Sequence, residues 1–182
     1  ARGNVATLPQ PTTDRLALVG ARAATGYGEQ IAHDFATALV GRGITIVSGA
    51  AYGIDGSAHR GALAAGGTTI AWLAGGVDRP YPIGHSNLID RIAANGVVAS
   101  ELAPGASPTR WRFLSRNRVI AATSAATVVI EAGWRSGSLN TAGHASALGR
   151  TLGAVPGAIT SAASAGCHRL IREYDAQIVT SA

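Results

Sequence analysis

From residue 16 onward, short apolar runs alternate with longer segments in which apolar residues recur every three or four positions. The short runs are typical of buried strands, and the longer period is typical of helices that pack by one face. This pattern predicts strands at 16–19, 44–47, 69–73, 97–99, 126–130, 151–155 and 177–179. It predicts helices at 28–41, 53–65, 86–94, 116–122, 139–148 and 167–172.

Strand–helix alternation of this length predicts an α/β fold, with an open and mostly parallel sheet covered by helices on both faces. A closed eight-unit barrel needs more strand–helix units and more residues than this chain offers. Residues 1–15 are polar and contain Pro9 and Pro11, so we expect a linker or tail there. Residues 16–182 then form one core domain.

The composition is that of a globular domain, because 47% of the 182 residues are hydrophobic and only 14% are charged. No apolar stretch is long enough to span a membrane, and residues 1–14 have no signal-peptide core. We therefore expect a cytoplasmic protein without a membrane partner. The single cysteine, Cys167, excludes an intramolecular disulfide and cannot form a metal site by itself, so no metal is expected.

The chain is basic, with a formal net charge of +5, and every basic residue is an arginine. A biased composition and nucleic-acid binding explain this charge equally well until its distribution is considered. No acidic residue lies between Glu101 and Glu131, whereas four arginines do. Such a cluster attracts phosphate by releasing condensed counterions. The four are Arg110, Arg112, Arg116 and Arg118.

Small, hydroxyl and basic residues follow the predicted strands, where ligands bind in open α/β sheets. Glycine and serine let backbone N–H groups approach an anion, and the arginine fork suits phosphate. We expect a phosphate-binding rim at these positions. Each glycine also fits a tight turn, the serines also fit a helix cap, and Arg22 also fits a structural ion pair. The residues are Gly20, Arg22, Ser48, Gly49, Gly53, Gly75, Gly76, Arg79, Ser136, Gly137 and Ser138.

Arg116 and Arg118 flank Asn117 at the predicted start of a helix, where the helix dipole disfavours positive charge. This position favours a phosphate partner for one of the two arginines. The alternative is an ion pair in which Glu101 or Glu131 folds back onto them. Arg110 and Arg112 are expected in an exposed loop that adds only a diffuse positive field.

Asp55, His59, Glu101 and Glu131 raise the possibility of an enzyme, but no nucleophile motif accompanies them. The five histidines do not have metal-ligand spacing. Neither the G-x-G-x-x-G fingerprint nor a P-loop is present, so we expect no nucleotide cofactor. Asp55 at a helix start is more typical of a capping acid, and no catalytic residue is predicted.

Five spaced segments form a set along the chain. They are V-G-A-R (19–22) with T-G-Y-G (25–28), S-G (48–49) with G-I-D (53–55) and A-H (58–59), G-G-V-D (75–78) with Y-P (81–82), F (113) with R-N-R-V-I-A (116–121), and S-G-S (136–138). A spaced set of this length is far more specific than any single piece. Taken together, these segments resemble the DprA/Smf family of DNA-processing proteins over residues 16 to 180.

The resemblance implies an extended Rossmann-like fold whose positively charged pocket binds single-stranded DNA. It also implies a homodimer that protects incoming DNA and brings the RecA recombinase to it during natural transformation, without catalytic turnover. The family motifs place three residues, Ser48, Ser136 and Ser138, in the phosphate pocket. They place the following residues against DNA: Arg22, Gly75, Gly76, Arg79, Arg116, Asn117 and Arg118.

The chain departs from the family pattern at Tyr52, where members usually have an arginine before Gly-Ile-Asp. Tyr52 is expected either to lose one backbone contact or to stack on a base. Members also often carry an N-terminal helical domain and a C-terminal winged-helix domain. Neither lies in these residues, so we expect a core fragment.

Two further functions stay open at the level of sequence. The first is a nucleotide phosphoribohydrolase of the LOG type, whose family pattern P-G-G-x-G-T-x-x-E is not found here. In this chain Gly133 and Trp134 follow Glu131 instead. The second is a nucleotide-binding regulatory module.

Overall fold

The computed structural model describes residues 1–182 and contains one eight-stranded sheet and six α-helices. The strands are β1 (Arg2–Gly3), β2 (Arg15–Val19), β3 (Thr45–Ser48), β4 (Thr69–Trp72), β5 (Val97–Ala99), β6 (Ala126–Val129), β7 (Thr151–Ala154) and β8 (Gln177–Ile178). The helices are α1 (Gly26–Val40), α2 (Ile54–Ala64), α3 (Ser86–Asn95), α4 (Arg110–Ala122), α5 (Ser138–Ala147) and α6 (Ala165–Glu173).

The strand order is β1-β5-β4-β3-β2-β6-β7-β8, and every neighbouring pair is parallel except β1 with β5. The open, mostly parallel α/β sheet predicted from the sequence is therefore confirmed. Strands β3, β4 and β5 follow one another on one side of β2, and β6 lies on the other side of β2. The order thus reverses between β2 and β6, which is where a crevice opens in sheets of this kind.

Helices cover both faces of the sheet. Ala32 and Phe35 of α1 and Ile54 and Ala58 of α2 pack with Leu18 on one face, and α3 extends this layer over β4 and β5. On the opposite face, the apolar side chains of α4, α5 and α6 join those of six strands in a second core. No helix of the protein is both long enough and apolar enough to cross a membrane.

The N-terminal segment differs from the expected linker or tail. Arg2 and Gly3 form an antiparallel edge strand on β5, and a 3₁₀ helix follows at Val5–Thr7. The buried Arg15 guanidinium holds this segment by donating to the backbone carbonyls of Thr7, Leu8 and Gln10. The sequence pattern missed these contacts because they pair polar backbone groups, which leave no apolar periodicity.

Helix α4 begins six residues before the predicted start at 116. Thr109 caps it by accepting a hydrogen bond from the Arg112 N–H at 3.4 Å. Arginine has a high helix propensity, and the two aromatic residues of the first turn, Trp111 and Phe113, are two positions apart, so the turn shows no helical apolar period. Arg110 and Arg112 therefore lie on a helix, and the expectation of an exposed loop is wrong.

Candidate functional site

A cavity of about 970 Å³ lies at the carboxyl ends of β2 and β6, where the strand order reverses. One wall is the segment after β2, which includes Gly20 and Arg22, and another is the loop that leads from β6 into α5. One face of α4 and the 3₁₀ helix at Ala162–Ser164 complete the enclosure. The position agrees with the rule that ligands bind at the switch point of an open α/β sheet.

Four arginines line this cavity, and Asp55 is the one acidic residue among the lining side chains. Arg22, Arg110 and Arg135 are exposed, and none of the five ion pairs in the structure includes them. The fourth arginine is Arg116, which is buried. The cavity thus carries an excess of positive charge that suits a polyanion.

An aromatic ring lies among these cations. The Arg22 guanidinium carbon is 4.5 Å from the centroid of the Phe113 ring, and that of Arg116 is 5.9 Å away. Tyr81 lies on the same ring, with a centroid separation of 5.6 Å. Phe113 and Tyr81 both line the cavity, so an aromatic surface and unpaired guanidinium groups meet in one place.

Arg116 is tied to the protein rather than directed freely into the cavity. Its Nη1 donates to the Gly49 carbonyl at 2.9 Å and to the Trp72 carbonyl. Any side chain at Gly49 would collide with the guanidinium, so glycine is needed for this approach. Burial lowers the pKa of Arg116 to about 10, against the opposing effect of Asp55. Arg116 therefore joins the ends of β3 and β4.

Asp55 and His59 have separate structural partners. The Asp55 carboxylate accepts hydrogen bonds from the N–H groups of Gly49 at 3.2 Å and Ala51 at 3.4 Å. Burial raises the pKa of Asp55, and the nearby Arg116 opposes that effect. His59 Nδ1 lies 2.7 Å from Thr69 Oγ1, and burial lowers the pKa of His59 to about 3. The carboxylate closes the β3–α2 loop, and the imidazole is a neutral core group.

Arg118 forms an ion pair with Glu101, with Nη2–Oε distances of 2.9 and 2.8 Å. It does not line the cavity. The sequence pattern placed Arg116 and Arg118 at a helix start, where the helix dipole would favour a phosphate partner. This prediction is wrong, because both residues lie in the middle of α4. The alternative ion pair with Glu101 is correct for Arg118. Glu131 instead accepts two hydrogen bonds from Thr25, its N–H and its hydroxyl, each at 2.8 Å.

Asn117, Ser136, Gly137 and Ser138 line the cavity as a group. Asn117 Nδ2 donates to the Gly137 carbonyl at 3.3 Å, which links α4 to the start of α5. The hydroxyls of Ser136 and Ser138 lie 2.8 Å apart, and the Ser138 N–H donates to Ser136 Oγ at 3.4 Å. Gly137 is the N-cap of α5 and no side chain caps the helix, so neither serine has the expected cap role, and both lie on the cavity wall.

Gly20 and Gly53 bring β2 and α2 into close contact. A Cβ at Gly20 would lie 2.5 Å from an atom of Ile54 and 2.7 Å from the Glu131 carbonyl oxygen. Gly53 has φ of +70°, and a Cβ there would collide with the Ala21 and Arg22 carbonyls. The Ile54 N–H donates to the Ala21 carbonyl at 3.2 Å. These two glycines therefore position the backbone that carries Arg22.

Seven of the predicted site residues line the cavity and eight lie outside it. Ser48 is buried and donates to the Leu18 carbonyl at 2.6 Å. Tyr52 is 48% exposed, and its ring meets that of His85 edge-on, with centroids 4.7 Å apart. Whether the eight residues outside the cavity contact DNA stays a prediction. The residues outside are Ser48, Gly49, Tyr52, Gly53, Gly75, Gly76, Arg79 and Arg118.

Gly75 and Gly76, in the loop after β4, pack against the loop after β5 and do not line the cavity. The Gly76 N–H donates to the Ala106 carbonyl at 2.8 Å. A Cβ at Gly75 would lie 2.9 Å from the same carbonyl oxygen. These two glycines therefore allow the 103–108 segment to pack closely, which the strand-end pattern alone did not indicate.

Arg110, Phe113 and Arg135 line the cavity but were not predicted as site residues. The signal for Arg135 was present, because it is a basic residue in the loop after a predicted strand. The signal for Arg110 was hidden by the wrong boundary of α4. For metal binding, the structure nowhere brings together three histidine, cysteine, aspartate or glutamate residues that could hold an ion.

Comparison with known proteins assigns the chain to a family. The family model of DNA recombination-mediator protein A matches residues 1–182. A putative DNA processing protein DprA of Mycobacterium tuberculosis is 58% identical over 166 residues, which are 91% of this chain and 42% of that protein. The chain thus spans less than half the length of this relative.

Two solved structures are close to this one. DprA of Streptococcus pneumoniae has a TM-score of 0.92 at 40% identity, covering 99% of this chain and 62% of that one. DNA processing protein A of Helicobacter pylori, described for its single-stranded DNA binding mode, has a TM-score of 0.90 at 30% identity. The latter match covers 99% of this chain and 80% of that one. The fold, the spaced motifs and these matches together show that the chain belongs to the DprA/Smf family, DNA recombination-mediator protein A.

Proposed function

We propose that this domain binds single-stranded DNA in the cavity at the ends of β2 and β6. The observation that carries the proposal is that Arg22, Arg110 and Arg135, none of them in an ion pair, line one cavity together with Phe113, whose ring Arg22 contacts. Guanidinium groups bind phosphates, and aromatic rings stack on bases. The single-stranded DNA binding described for the Helicobacter pylori protein supports the proposal.

The shape of the site favours a single strand over a duplex. A base can stack on Phe113 or Tyr81 only when its own face is free, which requires an unpaired and unstacked nucleotide. A cavity of about 970 Å³ encloses a short stretch of single strand, whereas the paired bases of a duplex stay inside the double helix.

The site is also expected to tolerate different sequences. Apart from Asn117 and the buried Asp55, its polar side chains are guanidinium groups and the hydroxyls of serine, threonine and tyrosine, which are groups that contact phosphate and sugar. Stacking adds affinity without selecting a base, because every base has a π-face. Asn117 already donates to Gly137 and to Asn140, so its amide N–H groups are occupied.

The test is a salt-dependent titration of single-stranded and duplex oligonucleotides of equal length. We expect tighter binding of the single strand, with similar affinities for oligonucleotides of different sequence. The logarithm of the association constant should fall with the logarithm of salt concentration by about 0.7 per phosphate contacted. Equal or tighter binding of the duplex would refute the proposal.

For the whole protein we propose a role in recombination, in which it protects incoming single-stranded DNA and helps to load RecA during natural transformation. Membership of the recombination-mediator family and the names of the relatives support this role. The proposal includes a homodimer. RecA assembly on single-stranded DNA should be faster with the protein than without it, and sedimentation should give twice the monomer mass. Unchanged assembly would refute the loading role, and a monomer would refute the dimer.

We also propose that the domain acts by binding and has no catalytic turnover. Asp55 and His59 support this, since each is engaged in a structural contact. The protein should release no free base from nucleoside monophosphates, and Asp55→Asn should change only its thermal stability. Base release that is lost in Asp55→Asn would favour a phosphoribohydrolase instead.

A further inference from the structure

The loop between β6 and α5 contains a β-turn. One side chain of this turn lines the cavity, and another lies outside it against α6. The turn is closed by the Ser136 N–H, which donates to the Gly133 carbonyl at 3.0 Å. Trp134 and Arg135 are therefore its two central residues. Arg135 lines the cavity, whereas Trp134 does not. Because both belong to one turn, fixing Trp134 also fixes the backbone from which Arg135 extends.

Helix α6 holds Trp134 through a cation–π contact. The Arg169 guanidinium carbon is 5.1 Å from the centroid of the Trp134 ring. Arg169 is itself held by Glu173, four residues later on α6, through an Nε–Oε2 hydrogen bond of 2.7 Å. Trp134 remains 53% exposed, so no core packing substitutes for this contact.

The base of the same loop is fixed to α6 by the backbone. The Gly166 N–H donates to the Ala132 carbonyl at 2.7 Å. A Cβ at Gly166 would lie 2.7 Å from the carbonyl oxygens of Ala132 and Gly133, so only glycine allows this approach. The loop is thus anchored at two places on α6, and the Arg169–Trp134 contact is the one at the tip of the turn.

We propose that Arg169 is a positioning residue for the nucleic-acid site, which fixes the Trp134–Arg135 turn so that Arg135 contacts a phosphate of bound single-stranded DNA. This inference rests on the proposed single-strand binding. Its physical basis is preorganisation, because a side chain already held in its binding geometry loses less conformational entropy when the ligand arrives. Arg169 itself lies outside the cavity and touches no ligand there.

The chain offers a matched control on the same helix. Arg172 also bonds Glu173, at 2.6 Å, but has no contact with an aromatic ring. Each of Arg169→Gln and Arg172→Gln removes one surface charge and one bond to Glu173. We expect Arg169→Gln to weaken single-strand binding by about two- to fivefold, the value of an exposed cation–π contact. Arg172→Gln should bind like wild type, and Arg169→Lys, which keeps a cation over the ring, should restore most of the affinity.

A double-mutant cycle distinguishes positioning from a direct effect of the Arg169 charge. Arg135→Ala should weaken binding and reduce the salt slope by about 0.7, the value for one phosphate on a single strand. In the Arg135→Ala background, Arg169→Gln should then have no further effect, because the residue that it positions is gone. Effects that add in the double variant would overturn the inference.

Hydrogen exchange of the DNA-free protein tests the same contact without a ligand. The amides of 134–136 should exchange faster in Arg169→Gln than in Arg172→Gln, and equal exchange would overturn the inference. Failure of the two proposals can be told apart. If wild type does not bind single-stranded DNA, both fall. If wild type binds and Arg22→Ala weakens binding, but Arg169→Gln behaves like Arg172→Gln, only the positioning role of Arg169 falls.

Discussion

Arg22 and Arg116 line the same cavity and lie near the same aromatic ring, yet their guanidinium groups have different partners. Arg22 is exposed, forms no ion pair and stacks on Phe113. Arg116 is buried and donates to the Gly49 and Trp72 carbonyls, with Asp55 close enough to oppose its desolvation. One arginine has donors available for a ligand, and the other uses its donors to hold two strand ends together.

The difference shows that a basic residue on a cavity wall is a phosphate ligand only if its donors are free. A buried guanidinium without partners would be very unfavourable, so the fold supplies two carbonyls to Arg116, and the charge of Asp55 lies nearby. An exposed guanidinium keeps its hydration and can exchange water for phosphate at little cost. The predictions below test this division between structural and ligand-binding groups.

The largest effect is expected for Arg116→Ala, which should lower the free energy of unfolding by about 3 kcal/mol, because the Gly49 and Trp72 carbonyls lose their buried donor and Asp55 loses a nearby opposite charge. Urea denaturation of the DNA-free protein measures this. Arg22→Ala is the control at the same cavity and should lose no more than about 1 kcal/mol, the value of its exposed cation–π contact. Similar stability of the two variants would contradict the comparison.

The second effect concerns the buried His59. Burial lowers its folded pKa to about 3, below the ordinary value of 6.5, so between these values the unfolded chain binds the additional proton. Stability from the neutral imidazole is complete above pH 6.5 and falls as pH decreases, by about 1.4 kcal/mol per unit.

Thermal or urea unfolding from pH 7 to pH 4.5 should show this loss for wild type relative to His59→Asn, which removes the titrating group. The difference between the two proteins is the relevant quantity, because the raised pKa of Asp55 acts in the opposite direction in both. Parallel stability curves would show that His59 does not remain neutral in the fold.

The third effect is on binding. Arg22→Ala should weaken single-strand affinity about tenfold, equally for all sequences, because a charged hydrogen bond to phosphate carries no base information. The salt slope should fall by about 0.7. Titrations alongside circular dichroism measure both, and wild-type affinity in a folded variant would assign Arg22 a structural role.

The smallest effect is expected for Arg118→Ala. Arg118 pairs with Glu101 on the exposed face of α4, and an exposed pair contributes only about 0.5 kcal/mol. Affinity for single-stranded DNA should change less than about twofold, since the residue lies outside the cavity. A loss as large as that of Arg22→Ala would place DNA on the outer face of α4 as well.

Apolar patterning predicted all seven strands from residue 16 onward, and the α/β class followed from their alternation with helices. It placed the start of α4 six residues late, because the first turn has no helical apolar period and is capped by Thr109. It also missed β1, a two-residue edge strand that depends on pairing with β5. Both errors concern segments held by polar contacts.

For the site, the sequence determined the positions of glycine, serine and arginine after each strand, and the motifs predicted the family. Which of these residues share the cavity depends on the fold, because the strand order places the ends of β2 and β6 together. The fold also determines which donors are free. Arg116 is bound by a carbonyl 67 residues away, and Arg118 by a carboxylate 17 residues away. Local patterns record burial and turns, whereas the satisfaction of each polar group depends on neighbours that only folding brings together.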